Sequence, residues 1–407
     1  MANSWKTLAD GDIVRKALAI FHNKLTFLKT INRQYDERFA QTGAKNGGTL
    51  LIREPNEFTV RTGAVMDVQN ITETTQTLTQ ATQKGVDLDY SSLEATMSID
   101  DYESRVLEPA MSRLAADVEY TCLAAMYADV FNLSGTPATT PASLAAVLNA
   151  GVKLSQNLAP ISDRHLLFDS LAMAATVAAL ATYFHKASEI ERAFADGYIG
   201  SAAGFKWWET NMVPNHTNGT RDDTTPVCNT STGITSGSAS VVTTGYDNGA
   251  TLKKGDVITI ADVYAVNRET KQRYSHLQQF ALTADFTCDG TDTITVAPTP
   301  VTSGAKQNVE LVSAGAGKAI VNVAAGGSGA ASAVYPQNLV YHRDAFTFVN
   351  ADLHMEEGQR MSRANIEGIS MRLWKAGDIV NDKFPVRLDV LFGYKTIRPE
   401  WACRVRG

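Results

Sequence analysis

Between residues 12 and 39 the apolar positions Val14, Leu18, Phe21, Leu25, Leu28 and Ile31 recur at three- and four-residue spacing. That is the stripe of one amphipathic helix, an arm with a face to lay on a neighbouring surface. After the flexible Gly43-Ala44-Lys45-Asn46-Gly47-Gly48 stretch the period changes to two, which predicts strands at 49–53, 57–61, 72–82 and 87–97. Thr, Gln and charged residues occupy both faces of these strands, so a hairpin made from them buries little apolar area and needs outside support. Ser98 and Asp101 make a variant capping box that opens the longest helical pattern, running to about Leu133. Its apolar face is Leu107, Met111, Leu114, Val118, Cys122, Ala125 and Val130, and Pro109 marks either a kink or the true first turn. From Pro109 onward such a rod is roughly 38 Å long.

Further along, the pattern predicts a helix at 141–158, a short strand at 165–168 and one or two Ala-rich helices at 170–194, a mixed α+β region. At about Arg221 the composition shifts to Thr, Ser, Gly and Val. Short strands are expected at 239–244, 257–261, 279–283, 293–296 and 320–323, with turns at Lys254-Gly255-Asp256 and Asp289-Gly290. This reads as a small β-barrel or sandwich. Mixed patterning returns at Asn338, so the β unit is an insertion with both ends in one host domain. At the end of the chain, alternation through Val386, Leu388, Val390 and Phe392 is broken at Gly393-Tyr394 and resumes through Ala402 and Val405, predicting two paired strands tied into a sheet.

Composition narrows this picture. The 407 residues exceed the roughly 250–300 at which a single core stops growing, so at least two compact units are expected. Hydrophobic residues at 44% and charged residues at 20% belong to a folded chain, and the apolar run at 171–183 falls short of the roughly 20 residues of a membrane span. Asp10, Asp12, Arg15 and Lys16 do not suit a secretory signal, so the protein is expected to act where it is made. Cys122, Cys228, Cys288 and Cys403 lie far apart, which favours reduced structural thiols. A net charge of −6 argues against strong nucleic-acid binding by the whole surface. Lys395, Arg398, Arg404 and Arg406 form a local basic patch, or else a solvated edge that discourages sheet-to-sheet association.

Catalytic motifs are incomplete. Gly315-Ala316-Gly317-Lys318 lacks the first glycine and the hydroxyl of a phosphate loop, Asp285, Asp289 and Asp292 lack the closing acid of a calcium loop, and His342-Arg343-Asp344 lacks the companions of a kinase loop. The seven histidines, among them His165 and His185, have no ligand spacing.

Three segments in the same order resemble the coat proteins of P22-like tailed phages: LKKGDVITIADVYAVNRETKQ at 252–272, NLVYHRDAFTFV at 338–349 and LDVLFGYKTIRPEWACRV at 388–405. The resemblance implies an α+β fold of the HK97 coat type. Its parts are an N-terminal arm at 1–42, an extended loop at 43–98, the peripheral-domain spine helix at 99–140, an axial and connecting region at 141–220, an inserted β-barrel at 221–337 and a return to the host domains at 338–407. The implied function is a major capsid protein without enzymatic activity, cofactor or metal. Hexamers and pentamers close an icosahedral shell around double-stranded DNA, assembled on a scaffolding protein, with a portal at one vertex and later expansion. The shell is the virion capsid, built in the host cytoplasm, touches DNA weakly and non-specifically, and involves no membrane. Arg53, Glu54, Glu57, Arg61 and Asp67 on the extended loop, and Arg221, Asp222 and Asp223 near the start of the insertion, are the candidate subunit contacts, against the alternative of an ordinary solvated surface. No self-cleavage is expected, because a long charged N-terminal extension is missing. The rival functions are a surface- or carbohydrate-binding protein using the β insertion, and a hydrolase with dispersed catalytic residues. Tyr246, Tyr264, Tyr274, Phe280, Phe286 and Tyr335 are scattered and no Trp lies among them, which weighs against the first.

Overall fold

A computed structural model describes residues 10–33, 48–66, 68–71, 73–89, 106–135, 139–180, 200–220, 226–228, 234–312, 317–323, 332–356, 358–366, 368–377, 380–381 and 383–406. The chain divides into two compact units, one of Met1–Arg53, Thr75–Cys122 and Thr347–Lys395, the other of Glu54–Thr74, Leu123–Phe346 and Thr396–Gly407.

In the first unit the N-terminal stripe forms a helix over Asp10–Lys24, with Val14, Ala17, Leu18 and Phe21 fully buried against the strands Arg360–Ile366 and Ile369–Lys375. Val14, Leu18 and Phe21 each contribute about 2 kcal/mol on removal from water, and the single methyl of Ala17 less than half of that. The helix does not continue as one rod. It stops before Leu25, and a separate turn, Phe27–Thr30, keeps Leu28 and Ile31 inward. The cause is a distant carboxylate: Glu119 accepts from the backbone N–H of Thr26 at 2.8 Å and of Phe27 at 2.9 Å, satisfying donors that the start of a new helical turn leaves open. The helix carrying Glu119, Glu108–Met126, has Pro109 in its first turn, where a missing N–H costs nothing. It ends at Met126 in a 3-10 turn, Tyr127–Asp129, earlier than the periodicity predicts. The capping pair Ser98 and Asp101 lies outside the described residues.

The sheet of this unit runs Thr49–Arg53, Thr75–Leu88, Val386–Thr396, Ile369–Lys375, Arg360–Ile366, with Phe346–Ala351 also paired to Val386–Thr396. Across four strands Gly85, Asp389, Arg372 and Arg363 stand opposite one another. Asp389 is buried and accepts from Arg372 Nη2 at 2.9 Å and Arg387 Nε at 2.7 Å. Gly85 is required beside it, since a Cβ there would fall 2.4 Å from the Asp389 Oδ1.

In the second unit a mixed sheet runs Leu133–Ser134, Ala402–Val405, Asn338–His342, Arg164–Phe168, Phe205–Glu209, Ser201–Ala202. The helices Leu144–Gln156 and Ser170–Leu180 cover it through Val147, Leu154 and Met173, which share a core cluster with Trp207 of the sheet. The Thr/Val-rich stretch forms a closed antiparallel barrel: Arg273–Leu282, Thr291–Ala297, Ser240–Thr244, Val227–Cys228, Lys318–Asn322 and Val257–Val266, which pairs back to Arg273–Leu282. Ile258, Ile260, Phe280, Leu282, Ile294 and Val296 fill its interior. Closure explains how strands so short and polar outside are stable, because no long edge stays unpaired.

Several expectations are corrected. The two C-terminal strands do not pair with each other. Val386–Thr396 pairs with Thr75–Leu88 and Ile369–Lys375, whereas Ala402–Val405 pairs with Asn338–His342 and Leu133–Ser134. Gly393-Tyr394 does not end the first of them either. Gly393 sits inside the strand because a Cβ there would lie 2.5 Å from the Thr79 carbonyl oxygen, at a register shift between Gln80 and Thr82. Residues 57–61 form no strand. Arg404 and Arg406 are buried, not part of a solvated basic edge, since the last strand is interior to its sheet. All four cysteines are free and buried.

Candidate assembly surfaces and their anchors

The loop Glu54–Thr74 leaves and re-enters the fold at one point, where the Glu54 N–H donates to the Thr74 carbonyl at 2.9 Å and the Thr74 hydroxyl to Glu54 Oε2 at 2.7 Å. Among its described residues it has no strand ladder. A side chain does that work instead: Gln69 Oε1 accepts from the Thr59 N–H at 2.8 Å while its Nε2 donates to the Thr59 carbonyl. The barrel side of the unit holds the stem. Arg268 Nη1 lies 3.9 Å from Glu57 Oε1 and 3.7 Å from Glu400 Oε1, and Lys306 Nζ donates to the Thr74 hydroxyl at 3.2 Å. Arg61 turns inward on its own loop and donates to the carbonyls of Gly63 and Val65. Between these tethers Phe58, Val60, Val65, Met66, Val68 and Ile71 are 57–96% exposed.

A second cluster anchors the start of the barrel. Arg404 is almost fully buried and donates through Nη1 to the Gly255 carbonyl at 2.6 Å and through Nη2 to the carbonyls of Ala128 and Val130. Its guanidinium also lies 5.5 Å from the Tyr127 ring centre. Beside it Asp256, fully buried, accepts from His216 Nε2 at 2.8 Å, the Lys253 N–H at 3.0 Å and the Gly219 N–H at 3.4 Å. Burial lowers the His216 pKa despite the hydrogen bond to the carboxylate, and its Nδ1 lies 3.1 Å from the Tyr127 hydroxyl. Arg406 stacks 3.7 Å from the Tyr335 ring centre. These charges lock chain segments together.

Of the residues singled out as contacts, Arg53 ends the strand Thr49–Arg53, and Glu54, Glu57 and Arg61 lie on the loop with the partners just described. Asp67, Arg221, Asp222 and Asp223 lie outside the described residues. Lys318, the lysine of the phosphate-loop-like run, pairs with Asp262 at 2.5 Å, and His342 Nδ1 accepts the Asp344 N–H at 3.2 Å in a local turn. Sequence reading missed Gln69, Arg268, Lys306 and the exposed apolar run. Only that run had a local signal, six large apolar residues within 58–71.

The fold is an α+β chain with an inserted closed barrel whose buried charges fasten chain segments to one another. The profile of the P22 coat protein (gene protein 5) matches residues 6–405, and the chain belongs to that family. It is therefore a phage major capsid protein of the HK97-type fold, from a family of self-assembling shell proteins and not of enzymes. Solved structures similar to it include Mycobacterium phage Che8, at 12% identity over 93% of this chain and 90% of that one, with a TM-score of 0.49. The capsid of Cyanophage P-SCSP1u is 12% identical over 88% of this chain and 83% of that one, with a TM-score of 0.40. The virus-like particle from Pyrococcus furiosus is 9% identical over 97% of both chains, with a TM-score of 0.39. All three scores are below one half, so the family match carries the assignment. No curated protein matches the chain by sequence.

Proposed function

We propose that the protein assembles as hexamers and pentamers into an icosahedral shell that encloses double-stranded DNA. Assembly runs on a separate scaffolding protein in the host cytoplasm, with a portal at one vertex, and the shell expands on packaging. The observation that carries this reading is the family match across 6–405. Within it, residues 1–42 act as the arm, 43–98 as the extended loop, 99–140 as the spine, 141–220 as axial and connecting region, 221–337 as the insertion and 338–407 as the return. The net charge of −6 supports a container that touches DNA weakly, because a strongly basic lining would hold the genome through counterion release and hinder its movement. Weak contacts repeated by symmetry make a stable closed shell while leaving single errors reversible. Electron microscopy of the chain co-expressed with its neighbouring genes tests the reading. Uniform closed shells, or shells with spirals, support it; monomers or small fixed oligomers with scaffold present refute it.

A further inference from the structure

We propose that the cleft between the helix Leu144–Gln156 and the barrel strand Arg273–Leu282 binds one small oxyanion of the hydrogen phosphate type, held by Lys153, Gln156 and His276. Both walls belong to the second unit. The three residues line a cavity of about 20 Å³, measured at the centres of water molecules, which is room for one or two water-sized groups. Among the described residues no carboxylate lines it. Five amides in its wall are committed at home: Asn132 donates to the Ala402 carbonyl, Asn157 to that of Lys153, Gln278 to that of Gln279, Gln279 to that of Leu133 and Asn308 to that of Thr299. Arg268, on the same wall, leans on Glu57 and Glu400.

Three groups are left over. Among the described residues no hydrogen bond or ion pair engages the Lys153 ammonium or the His276 ring, and Gln156 Oε1 is buried without a donor. An ammonium partly withdrawn from water without a counter-charge is costly, so this cavity favours an anion. Two neighbours register that cost: burial lowers the Lys153 pKa, and burial together with the nearby Lys153 charge lowers that of His276 to about 4. The His276 ring, stacked on Tyr274 with 5.4 Å between ring centres, is therefore neutral near pH 7, one nitrogen a donor and the other an acceptor. The ligand that fits accepts from Lys153 and also donates to the Gln156 oxygen. Water has no charge to offer the lysine, and a halide has no proton to offer the glutamine. Hydrogen phosphate has both, acceptor oxygens carrying the charge and an O–H. Tyr274 already ties the two walls by donating to the Gln156 carbonyl at 3.3 Å, and the anion adds a second tie between helix and barrel.

Lysine acylation of the full-length wild-type chain tests this without altering the site. The chain is treated with a limiting N-hydroxysuccinimide ester in sodium phosphate or in sodium chloride of equal ionic strength, and each lysine is read by mass spectrometry. In about 20 mM phosphate the acylation of Lys153 is expected to fall about fivefold or more relative to chloride, which corresponds to a dissociation constant of about 5 mM or tighter. Lys206 and Lys254, exposed and paired with Asp163 and Asp129, serve as controls and change less than about twofold. No protection relative to chloride, or an equal fall at all three lysines, overturns the proposal. In calorimetry the same phosphate raises the unfolding midpoint by about 2 °C over chloride. Lys153→Met, which keeps the aliphatic stem, is expected to retain wild-type circular dichroism and to lose that shift. A full phosphate shift in the variant overturns the assignment of the site, and if the variant does not fold, the protection pattern of the wild-type chain decides alone.

Discussion

Replacing Arg404 separates a buried fastener from a solvated basic edge. Arg404→Met keeps much of the side-chain length and removes the fork that serves the carbonyls of Ala128, Val130 and Gly255. Each buried carbonyl left without a donor costs about 1–3 kcal/mol. Against this, the folded state no longer has to desolvate a guanidinium, which returns several kcal/mol. The net loss is about 3 kcal/mol. Arg404→Ala adds an empty space and costs more, about 5 kcal/mol. Arg404→Lys, which keeps the charge but reaches fewer carbonyls, costs about 1–2 kcal/mol. Urea unfolding followed by tryptophan fluorescence reads this directly, since Trp207, Trp208 and Trp401 all lie in the same unit as Arg404. At about 2 °C per kcal/mol for a body of this size, the methionine variant melts about 6 °C lower. A methionine variant within about 0.5 kcal/mol of wild type, or a loss that disappears in 1 M salt, refutes the reasoning, because both are the behaviour of a screened surface charge.

Three further outcomes are expected. Gly85→Ala forces a Cβ against the Asp389 carboxylate and displaces it from Arg372 and Arg387, costing about 3 kcal/mol in urea unfolding. Its cost shrinks in an Asp389→Ala background, and strict additivity of the two changes would contradict the contact. Glu119→Gln presents an amide donor to one of the two N–H groups of Thr26 and Phe27, so it destabilises by about 1–3 kcal/mol, read as faster hydrogen exchange across Phe27–Thr30; unchanged exchange would show that the cap is idle. Burial lowers the His165 pKa to about 4, and its Nδ1 accepts from Trp208 Nε1 at 3.1 Å. The folded pKa lies below the unfolded one, so this contribution is complete above about pH 6.5 and is lost as pH falls toward 4, amounting to about 2 kcal/mol at pH 5. Urea midpoints from pH 8 to 5 should fall less steeply for His165→Gln than for wild type, and equal slopes would refute the assignment.

The apolar patterns determined the elements whose partners lie on one face. Val14, Leu18 and Phe21 specified a helix, and the short β-rich repeats from Val257 to Val296 specified a strand-built insertion, because each side of such an element repeats its burial at fixed spacing. The family was also legible, in three ordered segments. Pairing was not. The last two strands have adjacent sequences but different partners, and whether 57–61 becomes a strand depends on a neighbour that local sequence does not encode. The roles of charged residues were least legible. Arg404 and Arg406 look like a surface patch, and Glu57 and Arg61 like free contacts, until the fold brings Gly255, Tyr335, Arg268 and the Gly63 carbonyl against them. Hydrophobic burial is a property of a residue and its period, and so it is written locally. A charge such as Arg404 or Glu57 is stabilised or wasted by groups more than a hundred positions away, and only tertiary structure decides which of them it meets.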